Sequence, residues 1–236
     1  MQESPKEYVC LMKHYQSQNK ANVLDMFTKF TGPIYQIPPF QAAVKRELRI
    51  RRIYEIEMLE HTSKSTLFRV LCEGGTYIRN LCEDIGSALG SGGIMEQLIR
   101  TKSGPFSIEN SVSMIEAHDM YKAWKDSGDK TNLLSILKPL EDMLVDIPSV
   151  EVKDSAVDAL CHGADLGIPG VAMVSKKMKR GQLISIKTTR GEAIALARAT
   201  VNADEIVEKP KSKGKVAKLE RVIMKRGTYP REWKTK

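Results

Sequence analysis

The chain of 236 residues is poor in the groups that build metal and redox centres. Its four cysteines, Cys10, Cys72, Cys82 and Cys161, lie far apart, and no CxxC or CxxH pair exists to found a structural zinc site. They read as small apolar core residues, kept reduced in a cytosolic protein. The histidines His14, His61, His118 and His162 are equally dispersed, with no HExxH and no Cys/His dyad, so metal hydrolysis and thiol catalysis find no support. Neither Gly74-Gly75 nor Gly90-Ser91-Gly92-Gly93 carries a Walker lysine, and no G-x-G-x-x-G is present, which removes NTP chemistry. No metal and no cofactor is expected. Long apolar runs are missing too: none approaches the ~20 residues that cross a bilayer. The opening MQESPKEYVC lacks the basic and apolar regions of a signal peptide, so the expected location is cytoplasmic, with no membrane partner.

What the chain has in excess is positive charge. Its 37 Lys+Arg outnumber 29 Asp+Glu, a net +8, which favours a polyanionic partner, nucleic acid ahead of membrane. With 42% hydrophobic and 28% charged residues it is an ordinary folded protein, long enough for one large or two modest domains.

Along the chain, residues 6–16 alternate as a strand, and Val23, Met26, Phe27 and Phe30 stand at helical spacing over 22–30, stopped by Thr31-Gly32-Pro33. The Pro-bearing segment 34–40 cannot be a helix interior or a central strand. Residues 53–60 and 66–73 read as strands joined by a polar turn. A helix over 78–89 presents Ile78, Leu81, Cys82, Ile85 and Leu89 on one face, and Gly90 ends it. A short helix is expected at 94–99, with helical segments at 113–125 and 131–144. Near Ile147-Pro148 the pattern changes to a short helix at 154–161, then strands with glycine turns that suggest a small β-barrel.

Three constellations could carry chemistry. Gly74-Gly75-Thr76-Tyr77-Ile78-Arg79 places a glycine pair at a strand-to-helix turn, where backbone can approach a ligand closely. Tyr77 would offer a flat ring for base stacking, and Arg79, in a first helical turn that disfavours cations, wants an anion. The same residues also suit a plain turn with a packed tyrosine and a solvated arginine. Lys45, Arg46, Arg49, Arg51 and Arg52 put five cations in eight positions beside a rigid Pro-Pro loop, a phosphate-contacting surface as readily as a solvated one. Arg100-Thr101-Lys102-Ser103-Gly104 could clamp a phosphate or cap a helix.

The stretches KEYVCLM, FTGPIYQIPPF…AVKRELRIRRIYE, GGTYIRNLCEDIGSALG and MEQLIRTKSGPF resemble the TruB family of pseudouridine synthases, in its archaeal and eukaryotic branch, the dyskerin-like subunit of H/ACA ribonucleoproteins. KDSAVDALCHGADLGIPGV, KRGQLISIKTTRGEAIALA and RVIMKRGTYPREW resemble that branch's RNA-binding PUA domain. The motifs are long, ordered and cover nearly the whole chain, and the absence of a long Lys-rich tail looks archaeal. The resemblance implies an α+β fold: the mixed, mainly antiparallel sheet of a synthase catalytic domain, incomplete, over 1–146, a β-barrel PUA domain over 147–226 and a basic tail over 227–236. It implies isomerisation of uridine to pseudouridine in the TΨC loop of tRNA, at guide-selected rRNA positions, or both. Implied partners are tRNA, guide RNA and rRNA, with a small zinc-ribbon protein, a Gly/Arg-rich-family protein and a kink-turn binder.

Residue by residue, Tyr77 matches the family's active-site tyrosine, Arg79 the arginine that pairs with the nucleophilic Asp, Tyr8 the aromatic residue on the other side of the base, and Leu98 an apolar wall. The resemblance also marks an absence. The nucleophile stands in a Gly-x-Leu-Asp-type motif upstream of the KEYVC strand, and residues 1–236 hold no such motif. Asp25 and Asp84 lie outside one. The expectation is an N-terminally truncated enzyme without turnover, the alternatives being a non-catalytic RNA-binding scaffold and an unrelated PUA-containing module. For the PUA surface, Gly163-Ala164-Asp165 and Lys179-Arg180 are expected to meet RNA.

Overall fold

A computed structural model describes residues 4–40, 43–208 and 214–231. The chain forms two compact units, residues 1–133 and 134–236, each with its own core.

The first unit is a six-stranded sheet with two helices on one face. Strand β1 (Lys6–His14) is followed by helix α1 (Lys20–Phe30), the short β2 (Gly32–Gln36), the long β3 (Arg49–His61) and β4 (Ser65–Cys72). Helix α2 (Ile78–Ala88), β5 (Gly93–Ser103) and the two-residue β6 (Phe106–Ser107) complete the sheet in the order β2-β3-β4-β1-β5-β6, every pair antiparallel. Helix α1 begins where the Asn19 side chain accepts the Asn22 N–H at 2.8 Å, and it buries Val23 and Phe27, one turn apart. Strand alternation turns Cys10 and Met12 of β1 and Phe68, Val70 and Cys72 of β4 toward the helices, where Leu81, Cys82 and Ile85 of α2 meet them. Pro33 sits in β2 at the sheet edge, as its missing N–H requires.

Helix and sheet approach unusually closely at one point. A Cβ on Gly86 of α2 would lie 2.2 Å from the Gly93 amide nitrogen, and a Cβ on Gly93 would strike the Met12 methyl at 2.3 Å. Two glycines therefore set the spacing of α2 on β5.

Residues 94–99, expected as a short helix, belong instead to β5. Ile94, Met95, Leu98 and Ile99 mimic a helical spacing, but β1 lies inside the sheet and its free edge pairs with this segment from Lys6 to His14. The expected strand at 53–60 begins earlier, at Arg49, so three of the cations of the basic stretch are strand residues.

Helix α3 (Met114–Ser127) opens on a capping box between Ser113 and Glu116 and closes at Gly128, in the left-handed region at φ +79°. The helix expected over 131–144 is divided. Helix α4 (Thr131–Ile136) stops short of Pro139, and a 3-10 turn covers Leu140–Leu144.

The second unit is a barrel-like sheet of six strands, order β8-β12-β11-β10-β7-β9. In chain order these are β7 (Ser149–Val152), helix α5 (Asp154–Cys161), β8 (Leu166–Gly167), β9 (Val171–Val174), β10 (Leu183–Thr188), β11 (Ala193–Ala199), helix α6 (Ala203–Glu208) and β12 (Lys215–Val222). Only the β7–β10 pairing is parallel. Val150, Ile184, Ile186, Ile194, Ala197 and Val216 fill the interior. Part of the expected basic tail belongs to this unit. Tyr229 is buried, donates its hydroxyl to Glu192 Oε2 at 2.5 Å and lies under the Arg190 guanidinium. Residues 232–236 of that tail fall outside the described residues.

Candidate active site

A cavity of about 520 Å³ in the first unit opens between the N-terminal half of β1, the middle of β5 and the start of α2. Its walls include Lys6, Tyr8, Thr76, Tyr77, Arg79, Leu98 and Arg100. Four residues from three separate sequence motifs, Tyr8, Tyr77, Arg79 and Leu98, are thus brought to one cavity. The register explains the gathering: Tyr8 faces Arg100 and Cys10 faces Leu98 across the β1–β5 ladder, so alternation turns Tyr8, Leu98 and Arg100 to the same side.

The turn into α2 delivers the remaining wall. Thr76 donates its backbone N–H and its hydroxyl to the Glu73 carbonyl, at 3.2 and 2.7 Å, and Gly75 adopts φ +85°. A side chain at Gly75 would be strained and would press on the Arg51 guanidinium at 3.2 Å. Tyr77 is the N-cap of α2 and Arg79 its second residue, exposed and without an ion-pair partner among the described residues. The helix start holds a cation where partial positive charge already gathers, an arrangement that favours an anion in the cavity.

Three cations, Lys6, Arg79 and Arg100, and two rings, Tyr8 and Tyr77, define the electrostatics. The Arg100 guanidinium carbon lies 5.4 Å from the centre of the Tyr8 ring. Lys6, only 8% exposed, donates to the Ser4 carbonyl at 2.8 Å, and burial followed by the nearby Arg100 charge lowers its pKa. Lys6 is a wall residue that motif reading missed. It stands two positions before Tyr8, so strand alternation alone would have found it.

The basic stretch divides. Arg51 is folded back onto Glu73, Nη1 to Oε1 at 3.0 Å, with its side chain 20% exposed, so it braces the turn beneath Gly75. Lys45 pairs with Glu47, and Arg46 donates to the Pro38 carbonyl at 3.3 Å beside the Phe40 ring. Arg49 donates to the Lys45 carbonyl at 3.2 Å, and Arg52 is exposed. Lys102, the partner expected for Arg100, reaches Glu7 at 3.2 Å. Burial alone would raise the Glu7 carboxyl, but bonds from Thr101 and Lys102 and the charge of Arg69 outweigh it and lower the pKa. Arg100 and Lys102 still share the rim of a smaller depression of about 220 Å³ with Ser103, Phe106 and Ser107.

Neither aspartate of interest reaches the cavity. Asp25 is exposed on α1 and paired with Lys29 at 2.8 Å, while Asp84 lies further along α2. In the second unit, Asp165 accepts from Lys215 at 2.7 Å and from the Leu219 N–H at 3.0 Å, joining the 163–165 loop to β12. Gly163 adopts φ +92°, and Ala164 is exposed beside it. The Lys179 N–H donates to Gln182 and the Arg180 N–H to Asn202, while the Arg180 side chain meets Glu205 at 3.4 Å. The 163–165 and 179–180 turns are therefore each tied to neighbouring segments by hydrogen bonds, with residues 163–165, 179 and 180 exposed. Among the described residues no cluster of three or more His, Cys, Asp or Glu could hold a metal, and no helix is long and apolar enough to cross a membrane.

An aromatic-walled, cationic cleft followed by a small barrel with basic turns suits the handling of nucleic acid, and family comparison makes the class specific. Three family models tile the chain: the TruB family pseudouridylate synthase N-terminal domain over residues 2–78, the tRNA pseudouridylate synthase B C-terminal domain over 79–145, and the PUA domain over 148–223. A probable tRNA pseudouridine synthase B of Methanocaldococcus jannaschii is 49% identical over 232 residues, covering 98% of this chain and 68% of the relative. A crystal structure of a Cbf5-Nop10-Gar1 complex matches with TM-score 0.91 at 40% identity, and an H/ACA RNP bound to a substrate RNA containing 2′-deoxyuridine with TM-score 0.90 at 38%. Each match covers 98% of this chain and 70% of the other. The chain belongs to the TruB family of pseudouridine synthases.

Proposed function

We propose that the 520 Å³ cleft receives a uridine flipped out of tRNA or of a guide-selected rRNA, as part of an H/ACA-type particle acting in the cytoplasm. The observation that carries this reading is the convergence of Tyr8, Tyr77, Arg79 and Leu98 on one cavity. Tyr77 and Tyr8 offer ring faces to the base, Leu98 an apolar wall and Arg79 a cation for the carboxylate of the nucleophile. The reaction is an isomerisation needing no cofactor: the C1′–N1 bond breaks, C1′ bonds to C5, a proton leaves C5 and one is taken up at N1. Tyr77 assists the removal from C5. Residues 1–236 hold no Gly-x-Leu-Asp-type motif, and on this reading they bind the base without converting it.

We further assign residues 1–146 to the catalytic domain, 147–226 to the PUA domain and 227–236 to a basic tail whose Tyr229 packs back against the PUA barrel. Gly163-Ala164-Asp165 and Lys179-Arg180 are read as the guide-RNA surface of the second unit. Lys45, Arg46, Arg49, Arg51, Arg52, Arg100 and Lys102 are read as phosphate contacts in the first, Arg51 while it also braces Glu73. The protein partners are a small zinc-ribbon protein, a Gly/Arg-rich-family protein and a kink-turn binder.

The test is photocrosslinking with a stem-loop RNA carrying one 4-thiouridine in its loop, mapped by peptide mass spectrometry. Crosslinks on the β1, β5 and α2 walls are expected. Crosslinks confined to the second unit would overturn the assignment of the cleft. Pseudouridine formed in tRNA by the chain itself, read by mass spectrometry, would overturn the placement of the nucleophile.

A further inference from the structure

The Tyr77 backbone is held by a side chain that does not line the cleft. Gln36, the last residue of β2, is only 2% exposed, and its amide makes a two-point contact with Tyr77. The Gln36 Nε2–H donates to the Tyr77 carbonyl at 3.0 Å, and the Tyr77 N–H donates to Gln36 Oε1 at 2.9 Å. A primary amide presenting one donor and one acceptor in a plane reproduces what a neighbouring strand would offer.

Tyr77 has need of such a support. It is the N-cap of α2, with φ −97° and ψ 105°, and its own side chain makes no capping bond. It follows a turn whose Gly75 sits at φ +85°. Its carbonyl also accepts the Leu81 N–H at 3.1 Å, so Gln36 adds to the helix start rather than competing with it. One turn on, the Asn80 side chain donates to the Ile37 carbonyl at 2.8 Å, a second tie between α2 and the same Pro-bearing loop. The Cα–Cβ direction of Tyr77, and hence the plane its ring can offer, follows from a backbone pinned by these bonds.

We propose that Gln36 is a positioning residue for the uridine site, holding the Tyr77 ring at the angle at which a base can stack on it. This rests on the reading of the cleft given above. Gln36 itself touches no substrate. It also ties the residue that carries the ring to the start of the loop at 37–40, whose Pro39 lines the same cavity.

The experiment compares the full chain with Gln36→Met, which keeps length and packing but neither hydrogen bond, and with Tyr77→Ala. The probe is a stem-loop RNA with one 5-fluorouridine in its loop, read by 19F NMR, with overall affinity followed by fluorescence anisotropy. The Tyr77 amide exchange rate is read in the same samples by 15N NMR. Binding to the unaltered chain is expected to shift the 19F resonance, and Tyr77→Ala to abolish that shift. In Gln36→Met the shift should fall by about half or more and the Tyr77 amide exchange about tenfold faster, with overall affinity changed less than about twofold because phosphate contacts dominate it. A wild-type 19F shift in Gln36→Met would overturn the proposal. If instead the shift is insensitive to Tyr77→Ala, the reading of the cleft fails, and the exchange rate alone then decides whether Gln36 pins Tyr77. Should Gln36→Met not fold, Gln36→Glu keeps the acceptor for the Tyr77 N–H and loses the donor to its carbonyl. An intermediate shift supports the proposal, and a full one overturns it.

Discussion

Arg100 on β5 and Tyr8 on β1 are directly cross-strand, and the guanidinium carbon stands 5.4 Å from the centre of the phenol ring. The pair puts a delocalised cation and a π face on one wall of the cleft. Because the arginine is exposed, its charge remains available to a phosphate while its plane supports the ring. Arg100→Ala is expected to weaken RNA binding several-fold and to lower the salt slope of log K by about one. Arg100→Lys should keep most of the slope and lose affinity, since an ammonium cannot stack as a guanidinium does. Titrations at three or four salt concentrations separate the two.

The contact between Gly86 and Gly93 leads to a stability prediction with an internal control. Gly86→Ala places a methyl 2.2 Å from one backbone nitrogen and 2.5 Å from the Gly92 carbonyl carbon, neither able to move without shifting β5. The expected cost is about 3 kcal/mol, at the upper end for overpacking. Gly90→Ala meets no atom within 4 Å but must hold φ +68°, and should cost only about 1 kcal/mol. Urea midpoints of the two variants give the comparison.

His14 makes the first unit sensitive to acid. His61 Nε2 meets the Gln18 carbonyl at 3.2 Å and must donate there, so its Nδ1 accepts from the Thr66 hydroxyl at 2.9 Å. The Thr66 oxygen is then free to accept from His14 Nε2–H at 2.8 Å, which leaves His14 Nδ1 a bare, buried lone pair. Protonating it would bury a charged donor with no acceptor. Burial, helped by His61, therefore lowers the His14 pKa below its ordinary 6.5. A base whose pKa is lower folded than unfolded gives full stability above the unfolded value and loses it as pH falls. The melting temperature should drop as pH passes downward through about 6.5, and His14→Phe should flatten that part of the curve.

The four cysteines should be inert in the folded protein. All are buried, Cys10 Sγ and Cys82 Sγ lie 3.6 Å apart, and burial pushes the Cys72 thiol up to about 11. A thiol reagent at pH 8 is expected to label none of them in native protein within minutes and all four after denaturation. Rapid native labelling would contradict the packing of α2 on β1.

Much of the cleft was legible because its residues stand in long, ordered motifs. Tyr8, Tyr77, Arg79 and Leu98 could each be placed by number before their meeting was visible. Strong amphipathic periodicity similarly marked α1 and α2. The misreadings have physical causes. Ile94, Met95, Leu98 and Ile99 carry a helical spacing that the unpaired edge of β1 overrides. The strands β7 and β8 and the helix α6 span only four, two and six residues, too short for a period to register. Charge runs hide their partners: a sequence shows Arg51 and Lys102 as cations but not the half-buried Glu73 and the buried Glu7 that engage them. Gln36 left no signal at all, since an uncharged residue beside two prolines announces a loop and not the amide beneath a tyrosine.

The six-stranded sheet ends on one side at the five-residue β2, interrupted by Pro33, and on the other at the two-residue β6. Because β6 pairs only with Lys102 and Ser103, the outer edge of β5 from Gly93 to Thr101 has no neighbouring strand among the described residues. On that side the sheet has room for one further strand, and such a strand would brace the same β5 that carries Leu98 and Arg100 into the cleft.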